Sequence, residues 1–99
     1  GYPDCRPEFI KLFEKLSNIA TKKSIEGEKF NIHTPLIKMT KEKIIRLGIK
    51  NKVDFKNTTS CYNPLEQVSC GKCDSCLLRK KGFEKARLKD PIEYAKNNV

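Results

Sequence analysis

Four of the chain's five cysteines fall in one stretch, SCYNPLEQVSCGKCDSC, residues 60–76. Cys70, Cys73 and Cys76 form two overlapping C-x-x-C pairs, and Cys61 stands a short loop upstream. Four thiolates at about 2.3 Å from one ion satisfy tetrahedral Zn²⁺, and C-x-x-C spacing lets a short loop curl around a single centre. Gly71 follows the second ligand, where such a knuckle needs a positive φ. Asp74 and Ser75 carry oxygens that can take up backbone N–H groups at the start of a following helix. Three other chemistries fit parts of this pattern. A redox C-x-x-C needs two cysteines, not four. A bacterial-type iron–sulfur run pairs C-x-x-C-x-x-C with a distant Cys-Pro, whereas here the outlying cysteine comes first and no Cys-Pro exists. Disulfides need an oxidising compartment. The Lys-rich, strongly charged chain shows nothing resembling a secretory leader, which predicts a cytoplasmic location with reduced thiols. A structural zinc is therefore the expectation, with iron–sulfur and disulfide or free-thiol states as its alternatives.

Other reactive side chains are sparse. His33 is the only histidine, in a His-Thr-Pro context that suits either a structural donor or a general base. Cys5 stands apart in PDCR, flanked by Asp4 and Arg6: a thiol beside a cation, or simply part of a helix-capping turn. Lys38, Lys41 and Lys43 gather at a predicted helix N-terminus, a place that attracts phosphate and equally a solvated charged face. Arg79, Lys80 and Lys81 follow the last cysteine, where the roughly −2 charge of a tetrathiolate zinc centre calls for nearby cations with or without a ligand. There is no Gly-rich phosphate loop, no Ser-His-Asp order and no paired carboxylates.

The elements that must position these groups are predominantly helical. Residues 1–7 form an opening turn in which Asp4 can cap the helix after it. Phe9, Leu12, Phe13, Leu16, Ile19 and Ala20 recur at helical spacing, which predicts a helix from Pro7 to about Lys23 with that stripe buried and an end before Gly27. FNIHTPLI, residues 30–37, alternates as a short edge strand until Pro35. Thr40 is the N-cap of a second helix with Ile44, Ile45 and Leu47 on its apolar side and Gly48 just past its end. A polar loop comes next, with Val53 and Phe55 pinned inward. Asp74 caps a third helix on which Leu78, Gly82, Phe83 and Ala86 share a face. Gly82 costs about 1 kcal/mol of helix propensity there, which implies close packing. Asp90-Pro91-Ile92-Glu93 fits a capping box for a short terminal helix that frays at Asn97 and Asn98.

Size and charge set the outer limits. The 99 residues predict one domain. At 37% hydrophobic and 33% charged, the core is thin for this length, and a metal staple would offset that. Lys and Arg number 21 against 12 Asp and Glu, a formal +9. That excess fits an anionic partner, or a Lys-rich solvated surface. No apolar run approaches the ~18 residues of a membrane-spanning helix. The first residue is Gly1, and the chain opens directly on the dense motif YPDCRP, as the middle of a longer protein would.

Taken in order, GYPDCR (1–6), HTPL (33–36), TKEKII (40–45), TSCY (59–62), CGKCDSCLLRKKGF (70–83) and the DP-x-x-Y tail (90–94) resemble the C-terminal part of the 7-cyano-7-deazaguanine synthase family of queuosine precursor biosynthesis. The resemblance covers nearly the whole chain. It implies an α/β, pyrophosphate-loop fold of the adenine-nucleotide alpha-hydrolase type, of which these residues form a mostly helical portion with one or two short strands and the zinc loop. It also implies an ATP-dependent ligase, in which 7-carboxy-7-deazaguanine is activated by ATP, attacked by ammonia to give an amide, and activated again for dehydration to the nitrile. The family's S-G-G-x-D-S nucleotide loop is not among these 99 residues, so the portion alone is expected to be inactive. Cys61, Cys70, Cys73 and Cys76 match the family's zinc ligands. Tyr2, Asp4, Arg6, Lys41 and Arg79 sit in family motifs and are candidates for contact with substrate or phosphate. A homodimer is expected, with no membrane contact and no direct nucleic-acid contact. The competing assignment is a zinc-knuckle module that grips nucleic acid through its basic surface, with Tyr62 as its one stacking candidate.

Overall fold

The computed structural model describes residues 2–96. It divides into two units, Gly1–Lys38 and Met39–Val99.

In the first unit a single 3-10 turn, Pro3–Cys5, leads into helix α1, Pro7–Ala20. Pro7 occupies the first helical position, where its missing N–H costs nothing, and it forces Arg6 before it into extended geometry (ψ 150°). Arg6 is thus the N-cap residue, with no side-chain cap, and Asp4 lies back in the 3-10 turn instead of capping α1. Glu8 in the first turn complements the helix dipole. The helix stops at Thr21, whose hydroxyl donates to the Ser17 carbonyl at 2.9 Å. One further turn, α2 (Lys22–Ile25), ends at Gly27 with φ 108°. The helical spacing predicted for α1 is present, but its apolar stripe is not buried: Phe9, Leu12, Phe13, Leu16 and Ile19 are all exposed, Leu12 at 67%.

No strand forms at residues 30–37. Its backbone donors are taken by α1 side chains rather than by a neighbouring strand. Asn18 Oδ1 accepts from the Phe30 N–H at 2.7 Å, and Asn18 Nδ2 donates to the Phe30 carbonyl at 3.1 Å. Glu14 accepts from the Ile32 N–H at 2.8 Å. Fully buried Ser24 donates to the same Asn18 oxygen. Pro35 then opens a turn, closed by Ile37 N–H on the Thr34 carbonyl.

The second unit is built on two helices, α3 (Lys41–Lys50) and α4 (Asp74–Ala86). Thr40 caps α3 as its sequence predicts, accepting from the Lys43 N–H at 3.3 Å. Gly48 does not end α3; it sits inside the helix. Its missing side chain leaves room for Phe55, since a Cβ there would stand 2.4 Å from Phe55 Cζ. The helix instead ends at Lys50, two residues later, in a Schellman arrangement. Lys52 takes a left-handed φ of 60°, and the Val53 N–H bonds the Gly48 carbonyl at 2.9 Å. Ile45, Phe83 and Ala86 form the core, joined by Phe55, whose ring meets Phe83 edge-on at 5.4 Å. Gly82 packs as tightly as expected: a Cβ there would lie 2.6 Å from Lys41 Cγ and 2.9 Å from Ile45 Cδ1. Val53, Leu47 and Leu78, which the pattern also places inward, are exposed.

The N-cap of α4 is Cys73, not Asp74, which occupies the first turn. After Arg87, left-handed at φ 57°, the tail does not turn into a helix. Asp90 does accept from the Ile92 N–H at 3.1 Å, the start of a cap, but its carboxylate is claimed by Arg79. The tail then runs extended, with Ser69 and Tyr94 in a parallel bridge and the Ala95 N–H on the Ser69 carbonyl at 2.8 Å. Asn97 and Asn98, the predicted frayed end, lie outside the described residues. Among the described residues, the only β-pairing is this bridge and one between Leu65 and Val68. The portion is therefore mostly helical; the short strand predicted at 30–37 is absent, and the two bridges lie elsewhere in the chain.

Candidate metal centre

The four-cysteine stretch folds back on itself through a two-residue hairpin. Leu65 and Val68 exchange backbone hydrogen bonds at 2.8 and 2.9 Å, and Glu66 and Gln67 between them have φ of 49° and 69°. Two successive positive φ values define the mirror-image turn whose twist suits a tight reversal, here without the usual glycine. The reversal carries Cys61 and Cys70 to the same point. A second tight turn at Gly71, φ 75°, brings Cys73 around, and the first turn of α4 supplies Cys76. The result is a cluster in which the sulfurs of Cys61, Cys70, Cys73 and Cys76 all lie within 4.8 Å of one another. Cys61 Sγ and Cys73 Sγ are 3.9 Å apart. Tetrahedral ligands at the zinc–sulfur bond length stand about 3.8 Å from each other. All four thiols are free, Cys70 and Cys76 being buried.

The backbone is already arranged for negative sulfur. The N–H groups of Asn63 and Cys70 point at Cys61 Sγ at 3.3 and 3.2 Å, and those of Lys72 and Cys73 point at Cys70 Sγ at 3.4 and 3.3 Å. Such donors stabilise thiolate over thiol. The Lys72 and Cys73 amides accordingly hold the Cys70 thiol below its ordinary range. Cys73 is lowered to about 5, first by the Ser75 hydroxyl at 3.2 Å and then by backbone donors. Cys76 is pushed up to about 12, chiefly by burial, with neighbouring sulfurs adding to the effect. A sulfur that resists ionisation beside others that favour it is what a compact thiol cluster does before a cation balances it. The donor set fits a closed-shell structural ion. Four thiolates would complete a tetrahedral shell and leave no open position for water. Of the two capping roles predicted, Ser75 turns to the Cys73 sulfur instead of the backbone.

A buried polar network stands behind the cluster. Arg79, 4% exposed, makes a two-point pair with Asp90, Nε to Oδ2 at 2.9 Å and Nη2 to Oδ1 at 3.0 Å. It also donates to Thr58 Oγ1 at 2.9 Å and to the Phe55 carbonyl at 3.1 Å, with the Ser60 hydroxyl at 3.5 Å. Its guanidinium lies 5.4 Å from the Phe83 ring centre. The Tyr94 hydroxyl donates to Asp90 Oδ2. Burial alone would raise the Asp90 carboxyl, but the Arg79 and Tyr94 hydrogen bonds and the Ile92 N–H hold it below the usual carboxylate range. Tyr94 is raised well above a free phenol, first by burial and then by its bond to Asp90. The sequence singled out Arg79 as a candidate for substrate or phosphate; the structure places it in a buried pair with Asp90, a partner that was not foreseen. The DP-x-x-Y tail carried the signal, since a Tyr four residues after an Asp can donate its hydroxyl to that carboxylate.

The other candidates divide between the units. Tyr2, Asp4 and Arg6 are exposed in and beside the first 3-10 turn, with Cys5 Sγ 3.8 Å from Asp4 Oδ1. Lys41 is exposed at the start of α3, and His33 is exposed in the first unit. Lys41 borders an open groove of about 240 Å³ with Lys81 and Lys85. Tyr62, beside the cluster, is exposed. Among the described residues, no helix is long and apolar enough to cross a membrane.

Helices closed by a four-sulfur knuckle define a small structural module with a candidate metal site. The family model described as "Queuosine biosynthesis protein QueC" matches residues 1–87, and the chain belongs to that family. Similar proteins share over half of its residues. One named 7-cyano-7-deazaguanine synthase, from Rickettsia akari (strain Hartford), is 58% identical over 95 residues, 95% of this chain and 42% of the relative. Proteins of the same name from Geobacter sp. (strain M21) and Myxococcus xanthus (strain DK1622) are each 55% identical, over 97 and 98 residues, 97% and 98% of this chain and 43% of either relative. The chain thus spans less than half the length of the curated relatives it matches.

Proposed function

We propose that this chain is the zinc-binding C-terminal portion of a 7-cyano-7-deazaguanine synthase. The observation that carries the reading is the pairing of 54–58% identity to proteins of that name, across nearly the whole chain, with a four-thiol cluster of zinc dimensions. The complete protein would be an ATP-dependent carbon–nitrogen ligase of the α/β pyrophosphate-loop type. It would take 7-carboxy-7-deazaguanine and ammonia to the nitrile in queuosine biosynthesis. A carboxylate is a poor electrophile until one oxygen becomes a leaving group, so ATP is required at the amide step and again at dehydration. Nucleotide binding would fall to the part of the protein outside these residues, which act as one C-terminal portion of a cytoplasmic homodimer.

Within this portion Cys61, Cys70, Cys73 and Cys76 would hold one zinc ion, which supplies no Lewis-acid chemistry because its shell is full; it fixes the knuckle to α4. Tyr2, Asp4, Arg6 and Lys41 are the side chains offered to substrate or phosphate. Arg79 has its three guanidinium nitrogens engaged internally, so its role would be to hold residues 55–60 and the tail. The test is the full-length protein carrying this chain. It is expected to contain one zinc per chain and to form nitrile only with ATP, and Cys70→Ser is expected to lose both metal and activity. A zinc-loaded full-length protein that forms no nitrile would remove the ligase reading. A folded Cys70→Ser that retains metal and activity would remove the zinc assignment.

A further inference from the structure

The family match stops at residue 87, yet the chain beyond it is packed onto the metal knuckle. The Tyr94 ring lies against Gly71, the residue after Cys70: a Cβ on Gly71 would stand 3.4 Å from Tyr94 Cδ1 and 3.5 Å from Tyr94 Cβ. Lys80 closes the same contact from α4. Its ammonium donates to the Gly71 carbonyl at 3.1 Å and sits 4.5 Å from the centre of the Tyr94 ring. The Ala95 N–H holds the Ser69 carbonyl, next to Cys70. The other end of the tail is anchored by Asp90 on buried Arg79, and the Tyr94 hydroxyl returns to the same carboxylate. A ring, a cation and a backbone bond therefore converge on residues 69–71.

We propose that the tail, residues 90–95, is a clamp that retains the metal, with Tyr94 its positioning residue. Tyr94 makes no hydrogen bond to a ligand sulfur; its hydroxyl goes to Asp90. It acts by keeping Gly71 in its positive-φ turn, so that Cys70 and Cys73 stay aimed at one point. Opening the knuckle is the first step by which a four-thiolate ion escapes to a competitor, and the clamp opposes that step. The metal's outer contacts tune affinity in this way at zinc sites generally, typically by 10–100-fold.

The inference rests on the zinc reading, and one experiment separates the two. Zinc transfer from the loaded full-length protein to a chromogenic chelator in excess gives the release rate. Cobalt substitution gives the sulfur-to-metal charge-transfer and ligand-field bands that report tetrahedral thiolate geometry. Tyr94→Ala is expected to release zinc about tenfold faster and to shift or broaden the cobalt bands. Tyr94→Phe keeps the ring on Gly71 and should stay within about twofold of wild type. Glu93→Ala, exposed in the same tail, should match wild type. Lys80→Met removes the cation without touching the core and should release about threefold faster, which keeps the test decisive if Tyr94→Ala does not fold. Wild-type release rates and cobalt spectra in both Tyr94→Ala and Lys80→Met would overturn the clamp. A wild-type protein that takes up neither zinc nor cobalt would overturn the zinc reading itself.

Discussion

At the scale of single residues, Asp90 has the most consequential environment in the second unit. It takes up a nearly buried guanidinium, a phenol and a backbone N–H, and these keep its carboxylate ionised against the cost of burial. Its pKa in the folded protein is below the unfolded value of about 4, so the unfolded chain binds the proton more readily. The stabilisation is therefore present in full above about pH 4 and is lost as pH falls through the lower, folded value. Asp90→Asn leaves Arg79 buried without its counter-charge and should cost about 3–5 kcal/mol at pH 7. Urea unfolding of wild type and Asp90→Asn across a pH series checks this. The gap between the two should be widest at neutral pH and narrow below about pH 4, because the wild-type Asp90 carboxylate is then protonated and neutral like asparagine, while thiolate protonation weakens both proteins alike and cancels. A gap that stays constant with pH would show that the carboxylate's charge contributes nothing.

At the scale of elements, the same glycine argument gives two different results. Gly82 was legible as a site of close packing because a glycine on the apolar side of a charged helix costs propensity that something must offset. Gly48 misled, because a glycine near the expected end of a helix reads as its terminator; only the position of Phe55, seven residues on, explains why it lies inside. The edge strand failed for a related reason. The alternation in FNIHTPLI is real, but Asn18 and Glu14, well separated in sequence, supply the partners that a neighbouring strand would have offered. Tertiary partners of this kind leave no local trace, whereas the Thr40 cap, the Gly71 turn and the cysteine spacing are local and were readable. Substitution should rank the two glycines. Gly48→Ala places a methyl 2.4 Å from an aromatic carbon held in the core, and overpacking should cost about 1–3 kcal/mol. Both glycines lie inside helices, so alanine gains about 1 kcal/mol of propensity at either; at Gly82 the nearest atom is Lys41 Cγ at 2.6 Å on an exposed side chain, with Ile45 Cδ1 at 2.9 Å, so the net loss should be smaller. Thermal melts of both variants with zinc bound check the order.

At the scale of the whole molecule, the question is what holds so small a core together. The buried apolar cluster of the second unit is Ile45, Phe83 and Ala86 with Phe55 against it, and each large side chain contributes about 1.5–3 kcal/mol by burial. That is a small core for the number of residues it orders. Metal coordination is the added term: apparent binding free energies of structural zinc run to about 10–16 kcal/mol in small domains, and binding to the folded form alone becomes folding free energy. All four sulfurs belong to the second unit, so the effect of removing the metal should be confined there. Hydrogen exchange on the full-length protein, before and after chelation, tests this. Amides of residues 60–96 are expected to exchange at least tenfold faster in the metal-free protein, first in the knuckle and tail, then in α4. Amides of α1 should change by less than about twofold, since no ligand lies within it and its own links run through Asn18 and Glu14 to residues 30–32. A uniform rise across both units would mean that the metal governs the fold as a whole. No change anywhere would mean that the helices and the Arg79–Asp90 pair are sufficient without it.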